Sequence, residues 1–250
     1  MNFEDISNFS ETKHSDFPEG WGLTTLGKVC VKIGSGITPR GGEKVYKEFG
    51  VALVRSQNVY NNSFNESGLV FIDEIMADKM AGVALLENDI LLNITGDSVA
   101  RCCTVPKEIL PARVNQHVSI IRTADKELNP KFLRYYLTSP KMQKFMLSIA
   151  QSGGTRNALT KSMIGDFVVP KPLIAEQNAI VEVLDGFTRK IKLNQQLNKT
   201  LESIAQTFFK HWFIDFEFPD ENGQPYRSSG GEMVDSKLGK RYLKVGNSGL

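Results

Sequence analysis

The sequence predicts an α+β fold, in which a mixed domain of many short strands is followed by one long, coiled-coil-like α-helix. First, short apolar runs before Pro172 are repeatedly interrupted by Gly, Pro and Asn, as is typical of short strands joined by turns. Second, residues 175–212 contain no proline and one glycine, and their apolar residues recur at alternating steps of four and three. Third, 250 residues with 41% hydrophobic composition suit one domain and an appendage.

The mixed domain is assigned to residues 1–172, of which residues 1–17 form a polar, acidic arm. Four glycines and a proline within residues 34–42 predict a loop. Asn129 and Pro130 predict the start of a helix, because proline is favoured at the first helical position. Strands are predicted over Leu26–Ile33, Val51–Arg55, Asp89–Ile94, His117–Arg122 and Ile164–Val169, with a second helix through Met142 and Ile149.

The long helix is predicted over residues 173–213. A helix of about 36 residues is roughly 54 Å long. It cannot bury its apolar stripe alone, and no second helix of that length is predicted, so self-association is favoured over packing across its own domain. Two asparagines in the middle of the seam are expected to fix register and partner number. The seam consists of Ile180, Leu184, Phe187, Ile191, Asn194, Asn198, Leu201, Ala205, Phe208 and Trp212. Residues 214–250 are rich in Gly and Ser and are interpreted as a linker-like tail.

The formal net charge of +2 is unevenly distributed. Residues 21–174 carry a net charge of +6, whereas residues 1–20 carry −4. Such an excess of positive charge indicates a polyanion partner, although a solvated lysine-rich face gives the same pattern. There is no apolar run of membrane-spanning length and no secretory signal, and the three cysteines form no CxxC motif. We therefore expect a reduced, cytoplasmic protein without a membrane segment.

A catalytic role is not expected for this chain. GxSxG, HExxH and P-loop motifs are absent, and the sequence predicts no metal site. The tetrapeptide Asn129-Pro130-Lys131-Phe132 resembles the base-gripping motif of amino-methyltransferases, but helix capping explains it better.

Polar residues on the predicted loops, together with lysines that could reach phosphates, are candidates for DNA contacts. Arginine pairs well with guanine, and asparagine or glutamine with adenine, whereas lysine suits phosphates. Taken singly, each residue is better explained as a surface residue or a turn former, and it is their concentration in the positively charged segment that favours DNA. The candidates are Lys32, Thr38, Arg40, Arg55, Gln57, Asn58, Ser98, Arg101, Arg156, Asn157 and Lys161.

Several segments, taken together, resemble the DNA-specificity subunit of type I restriction-modification systems. They match in order and spacing over roughly residues 18–218. The most distinctive segment is 169–180, which is similar to the Pro-x-Pro and Glu-Gln entry to that family's long helix. The others are Pro18–Trp21, Leu26-Gly27, Gly34–Pro39, Val54–Val59, Gly96-Asp97, Asn115–Val118 and Gly153–Arg156.

This resemblance implies a target-recognition domain up to residue 172, followed by a spacer helix. Family members have no catalytic activity of their own. They hold adenine methyltransferase subunits, which use S-adenosylmethionine, and a restriction subunit joins the complex. The resemblance implies no cofactor in this chain, and S-adenosylmethionine, ATP and Mg²⁺ are expected in the partner subunits.

The chain departs from the family pattern by having one domain–helix unit instead of two, so it resembles a half-length form. We expect a homodimer with antiparallel helices that recognises an inverted-repeat target in double-stranded DNA. Half-sites separated by about one helical turn, ~34 Å, or somewhat more would suit it. The alternative is a regulatory factor that dimerises through the helix and occupies the methyltransferase subunit without binding DNA. Tight binding of S-adenosylmethionine by this chain alone would instead favour an enzyme.

Overall fold

The computed structural model describes residues 17–124, 126–151, 158–235 and 241–243. The chain divides into two compact units between Val183 and Leu184. The first turns of the long helix therefore belong to the first unit. The assignment of residues 1–172, 173–213 and 214–250 to separate domains stays a prediction.

The described residues form many short strands and short helices, and one long helix follows β11. The strands are β1 (Gly22–Thr25), β2 (Cys30–Ser35), β3 (Val51–Val54), β4 (Val59–Tyr60), β5 (Ser63–Phe64), β6 (Val70–Ile72), β7 (Ile90–Asn93), β8 (Cys102–Thr104), β9 (Ala112–Val114), β10 (Val118–Thr123), β11 (Val168–Lys171), β12 (Met233–Asp235) and β13 (Arg241–Leu243). The helices are α1 (Leu26–Val29), α2 (Glu74–Lys79), α3 (Pro130–Leu137), α4 (Pro140–Gln151), α5 (Lys161–Gly165) and α6 (Ile174–Phe209). The predicted fold class is confirmed.

A four-stranded antiparallel sheet in the order β2-β10-β7-β8 is the centre of the first unit. All four residues of β7 are buried. Leu92 packs into a cluster with the helices, whereas its neighbour Leu91 packs into a second cluster with the sheet β6-β3-β9. Because both faces of the central sheet are covered, the first three residues of this strand are all apolar instead of alternating with polar residues.

Two predicted strands are wrong in part. Leu26 and Val29 lie in the single-turn helix α1 between two strands, because residues three apart share one face of a helical turn and both are buried here. Ile164 lies in α5, which Thr160 caps by accepting a hydrogen bond from the Met163 amide at 3.2 Å. The strand that follows starts only at Val168. By contrast, α3 begins as predicted, with Asn129 as its cap.

The start of α6 is attached to the first unit by polar and apolar contacts. The Trp21 indole donates a hydrogen bond to the Glu176 carboxylate at 3.1 Å. Gln177 is fully buried, and Val181 and Ile180 pack into the helical core cluster. The Pro-x-Pro and Glu-Gln segment therefore joins the helix to the domain.

In the second unit, the helix is exposed and the tail has regular structure. After Phe209 the helix continues as a π-helical turn through Ile214. Phe218 stacks on Tyr226 with 4.8 Å between the ring centres, and β12 pairs with β13. The linker interpretation did not predict these strands. Within the described residues, no helix is long and apolar enough to cross a membrane.

Candidate nucleic-acid interface

Four strands of the first unit end at the same edge. The last residues of β2 and β7 lie beside the start of β10, with Ser35 opposite Ser119 and Asn93 opposite Val118. Strands β3 and β9 are parallel and end together. The segments that follow these four strands therefore meet, and we call them the loop edge: residues 36–41, 55–58, 94–101 and 115–117.

Main-chain hydrogen bonds fix the loop edge. The Gly36 amide donates to the Val118 carbonyl at 3.0 Å, and the Asn115 amide donates to the Val54 carbonyl at 3.0 Å. A Cβ atom on Gly36 would lie 1.9 Å from the Val114 carbonyl oxygen. Only glycine therefore allows the first loop to approach the β9–β10 connection this closely.

A side-chain hydrogen-bond chain crosses the loop edge. Thr38 donates to the side-chain oxygen of Gln116, and the Gln116 nitrogen lies 2.8 Å from His117 Nε2. The other ring nitrogen of His117 lies 2.6 Å from the Thr95 hydroxyl. The loops after β2 and β7 are thus connected through the β9–β10 connection.

Buried Asn93 connects two further loops. Its side-chain nitrogen donates to the Ser56 carbonyl at 2.8 Å and to the Ser98 hydroxyl at 3.1 Å. The candidate Ser98 therefore helps to fix the loop after β7, and its side chain is half-buried.

The three candidates after β3 have different surroundings. The Arg55 guanidinium donates to the Gly68 carbonyl at 2.7 Å and lies 5.4 Å from the centre of the Tyr46 ring. Gln57 is exposed and donates to the same carbonyl at 3.3 Å. Asn58 is fully buried and makes hydrogen bonds with the main chain of Arg55 and of Asn65. Asn58 therefore fixes this turn, and its buried side chain is not available for a DNA contact.

Two more arginines lie on the loop edge. Arg40 is exposed in the loop after β2. Arg101 precedes β8, and its guanidinium lies 4.7 Å from the centre of the Tyr60 ring. Together with Arg55 they give the loop edge three arginines against one aspartate, Asp97. Its charge is therefore positive, as a phosphate backbone requires.

The structure does not bring the two candidate lysines to the loop edge. Lys32 lies within β2, opposite Arg122, and its amine donates to the Gly82 carbonyl. Desolvation and the nearby Arg122 lower the Lys32 pKa, against the opposing effect of Asp89. Lys161 begins α5 and lines a cavity of about 590 Å³ with residues of α1 and β2. The candidates Arg156 and Asn157 lie outside the described residues.

Gln116, His117, Asn93 and Tyr60 were not among the sequence candidates. The run Asn115-Gln116-His117 before a strand was the available signal for the first two, and it was used only for the resemblance. Asn93 and Tyr60 lie within strands, where sequence alone does not show that they face a loop.

The fold and this edge define a recognition module joined to a helix that presents apolar residues to solvent. Residues 18–203 match the type I restriction modification DNA specificity domain, and the chain belongs to this family. The resemblance of the sequence to type I DNA-specificity subunits is therefore confirmed.

The chain is similar to the specificity subunit of the type I restriction enzyme HindI of Haemophilus influenzae, with 27% identity over 168 residues. These residues are 67% of this chain but 36% of that subunit. The chain thus spans well under half of this relative.

Two solved structures have a similar fold. The type I restriction-modification S subunit from M. genitalium has a TM-score of 0.56 and 14% identity, covering 83% of this chain and 51% of that one. The HsdS subunit from Thermoanaerobacter tengcongensis has a TM-score of 0.53 and 16% identity, covering 78% and 44%.

Proposed function

We propose that this chain is a DNA-specificity subunit of a type I restriction-modification complex and that its loop edge contacts one half of a bipartite target. The observation that carries the proposal is the convergence of β2, β3, β7 and β9 on one edge, where their loops present arginine and amide side chains. Arginine donates two hydrogen bonds to guanine, and amides pair with adenine in the major groove. In this role the chain recognises DNA and performs no chemistry.

Self-association through α6 is the second part of the proposal. Phe187 is 63% exposed and Leu201 is 62% exposed, although both belong to the predicted seam. A long helix with such a stripe is stabilised by a partner helix. Two antiparallel copies would place two loop edges on an inverted-repeat DNA target.

A second exposed apolar strip suggests further partners. Leu193, Leu197 and Ile204 lie outside the seam and are 45–54% exposed. Their spacing of four and then seven residues places them on one side of the helix. We assign this strip to the adenine methyltransferase subunit, with the restriction subunit joining through the complex. S-adenosylmethionine, ATP and Mg²⁺ would be bound by those subunits.

DNA selection tests the recognition part. The chain, alone and with its methyltransferase subunit, is incubated with random double-stranded DNA, and bound fragments are sequenced. We expect an enriched motif with a defined spacer and a steep loss of binding as salt is raised. Binding of the methyltransferase without any enriched motif would support the regulatory alternative instead.

Light scattering after size-exclusion chromatography tests self-association. We expect a dimer at micromolar concentration and a monomer for Leu201→Glu, because a buried charge in the seam is costly. Gln195→Glu is the matched control, since Gln195 is an exposed helix residue outside the seam. A stable wild-type monomer contradicts the dimer.

A further inference from the structure

Gln116 is an exposed side chain whose position is nevertheless fixed. It lies in the three-residue connection between β9 and β10, at the centre of the loop edge. Its amide oxygen accepts from Thr38, and its amide nitrogen donates to His117 Nε2 at 2.8 Å. An exposed glutamine normally samples many rotamers, so two hydrogen bonds on one exposed amide are a specific feature of this site.

The hydrogen bonds of Gln116 are compatible with those of its neighbours. If the Gln116 nitrogen donates to His117 Nε2, the hydrogen of the neutral imidazole is on Nδ1. That nitrogen then donates to the Thr95 hydroxyl, 2.6 Å away. Every member of the chain from Thr38 to Thr95 therefore has a compatible donor or acceptor.

The two contacts leave half of the amide's capacity unused. A carboxamide oxygen has two lone pairs, and its nitrogen has two hydrogens. After the bonds with Thr38 and His117, one acceptor site and one donor remain on an exposed group. These are the two functions that bind adenine N6 and N7 together in the major groove.

We propose that Gln116 is a specificity-determining residue that recognises one adenine in each half of the DNA target, with Thr38 and His117 as its positioning residues. This inference rests on the proposed function. Because the side chain is ordered before binding, little conformational entropy remains to be lost on contact with the base. The glycine at position 36 lets the Thr38 loop lie close enough for this arrangement.

The test compares the target motifs of wild-type and variant chains by selection from random double-stranded DNA in the presence of the methyltransferase subunit. For Gln116→Ala we expect the preference for adenine at one position per half-site to fall at least ~10-fold, with the other positions unchanged. For Gln116→Glu we expect a change towards cytosine at that position, because a carboxylate only accepts hydrogen bonds. Gln195→Ala, at an exposed glutamine of α6, is the control and should leave the motif unchanged.

A positioning role for Thr38 has its own readout. Thr38→Val keeps the branched shape of the side chain but removes its hydrogen-bond donor. The preference for adenine at the same single position should therefore weaken while the remaining motif persists.

If Gln116→Ala does not fold, Gln116→Glu is the variant that tests the inference, because it preserves the size of the side chain. An unchanged motif in the Gln116 variants, or an equal loss at all positions, overturns the inference while the proposed function stands. No enriched motif for the wild type overturns both.

Discussion

The side-chain oxygen of Gln177 accepts a hydrogen bond from the main-chain amide of Asn129 at 2.8 Å. The nitrogen of the same side chain donates to the carbonyls of Glu127 at 2.7 Å and Pro172 at 2.8 Å. One fully buried amide thus joins the beginning of the long helix to the cap of α3 and to the end of β11. This amide therefore fixes the first turn of α6 against the domain.

Gln177→Ala is expected to destabilise the first unit by about 2–4 kcal/mol, because it removes the partner of three main-chain groups, one of them in a buried hydrogen bond and two in part-buried ones. The midpoint of urea unfolding, followed by circular dichroism, measures the change. Gln195→Ala, on the exposed part of the same helix, should stay within about 0.5 kcal/mol. Equal stabilities of the two variants would contradict the role of Gln177.

Gly36→Ala is expected to disturb the loop edge, because the new Cβ would lie 1.9 Å from the Val114 carbonyl oxygen. We expect a loss of about 1–3 kcal/mol in unfolding free energy, as for other overpacked sites, and weaker DNA binding. Thermal unfolding and fluorescence anisotropy with target DNA measure the two effects.

Gly34→Ala is the matched control for that change. Gly34 lies two residues earlier in β2, and its added Cβ would meet nothing within 4 Å. Stability and DNA affinity should both remain close to those of the wild type. If Gly34→Ala and Gly36→Ala behave alike, close approach of the loop is not the reason for the glycine.

The sequence predicts the features that depend on local chemistry. Asn129 with Pro130 gives a capped helix at the predicted residue, and the apolar run of β7 gives a buried strand. The long helix over Ile174–Phe209 follows from the absence of proline and the heptad spacing. Each of these signals is contained in one continuous segment of the sequence, so no knowledge of tertiary contacts is needed.

The features that depend on pairing between distant segments could not be predicted. Strands β4, β5 and β9 have only two or three residues, too few for a period-two pattern. The convergence of the loops depends on β3 being parallel to β9, and no local signal encodes this pairing. For the same reason the sequence, which already places Lys32 in a predicted strand, could not show that this strand pairs with β10 and sets Lys32 opposite Arg122, away from the loop edge.

Asp89→Ala is expected to cost about 3 kcal/mol of unfolding free energy. Asp89 is fully buried, and its two oxygens bind the Arg122 guanidinium at 2.7 Å each. Removing one partner of a buried pair leaves the other without compensation. The hydrogen bond with Asp89 is the main cause that raises the Arg122 pKa. The stabilisation that the raised Arg122 pKa represents is therefore present at neutral pH and is lost as the pH rises through that raised value.

Glu127→Ala is the control for the buried pair. Glu127 also forms an ion pair at 2.9 Å, with Lys171, but its side chain is 78% exposed. Its removal should cost no more than about 1 kcal/mol. The combined variant Asp89→Leu with Arg122→Met should cost less than Asp89→Ala, because neither charge remains unpaired. A double variant less stable than Asp89→Ala would contradict the ion-pair explanation.

Arg40→Ala is expected to weaken DNA binding without changing stability, because Arg40 is an exposed residue of the loop edge. If it contacts a base, binding of the target should weaken by about 1–3 kcal/mol while binding of random DNA stays the same. If it contacts a phosphate, both affinities should fall, and the slope of the logarithm of the binding constant against the logarithm of salt concentration should decrease by about one.

Arg189→Ala removes the same charge from the exposed part of α6 and controls for net charge. Anisotropy titrations at several salt concentrations distinguish these outcomes, and identical curves for Arg40→Ala, Arg189→Ala and the wild type would remove Arg40 from the interface.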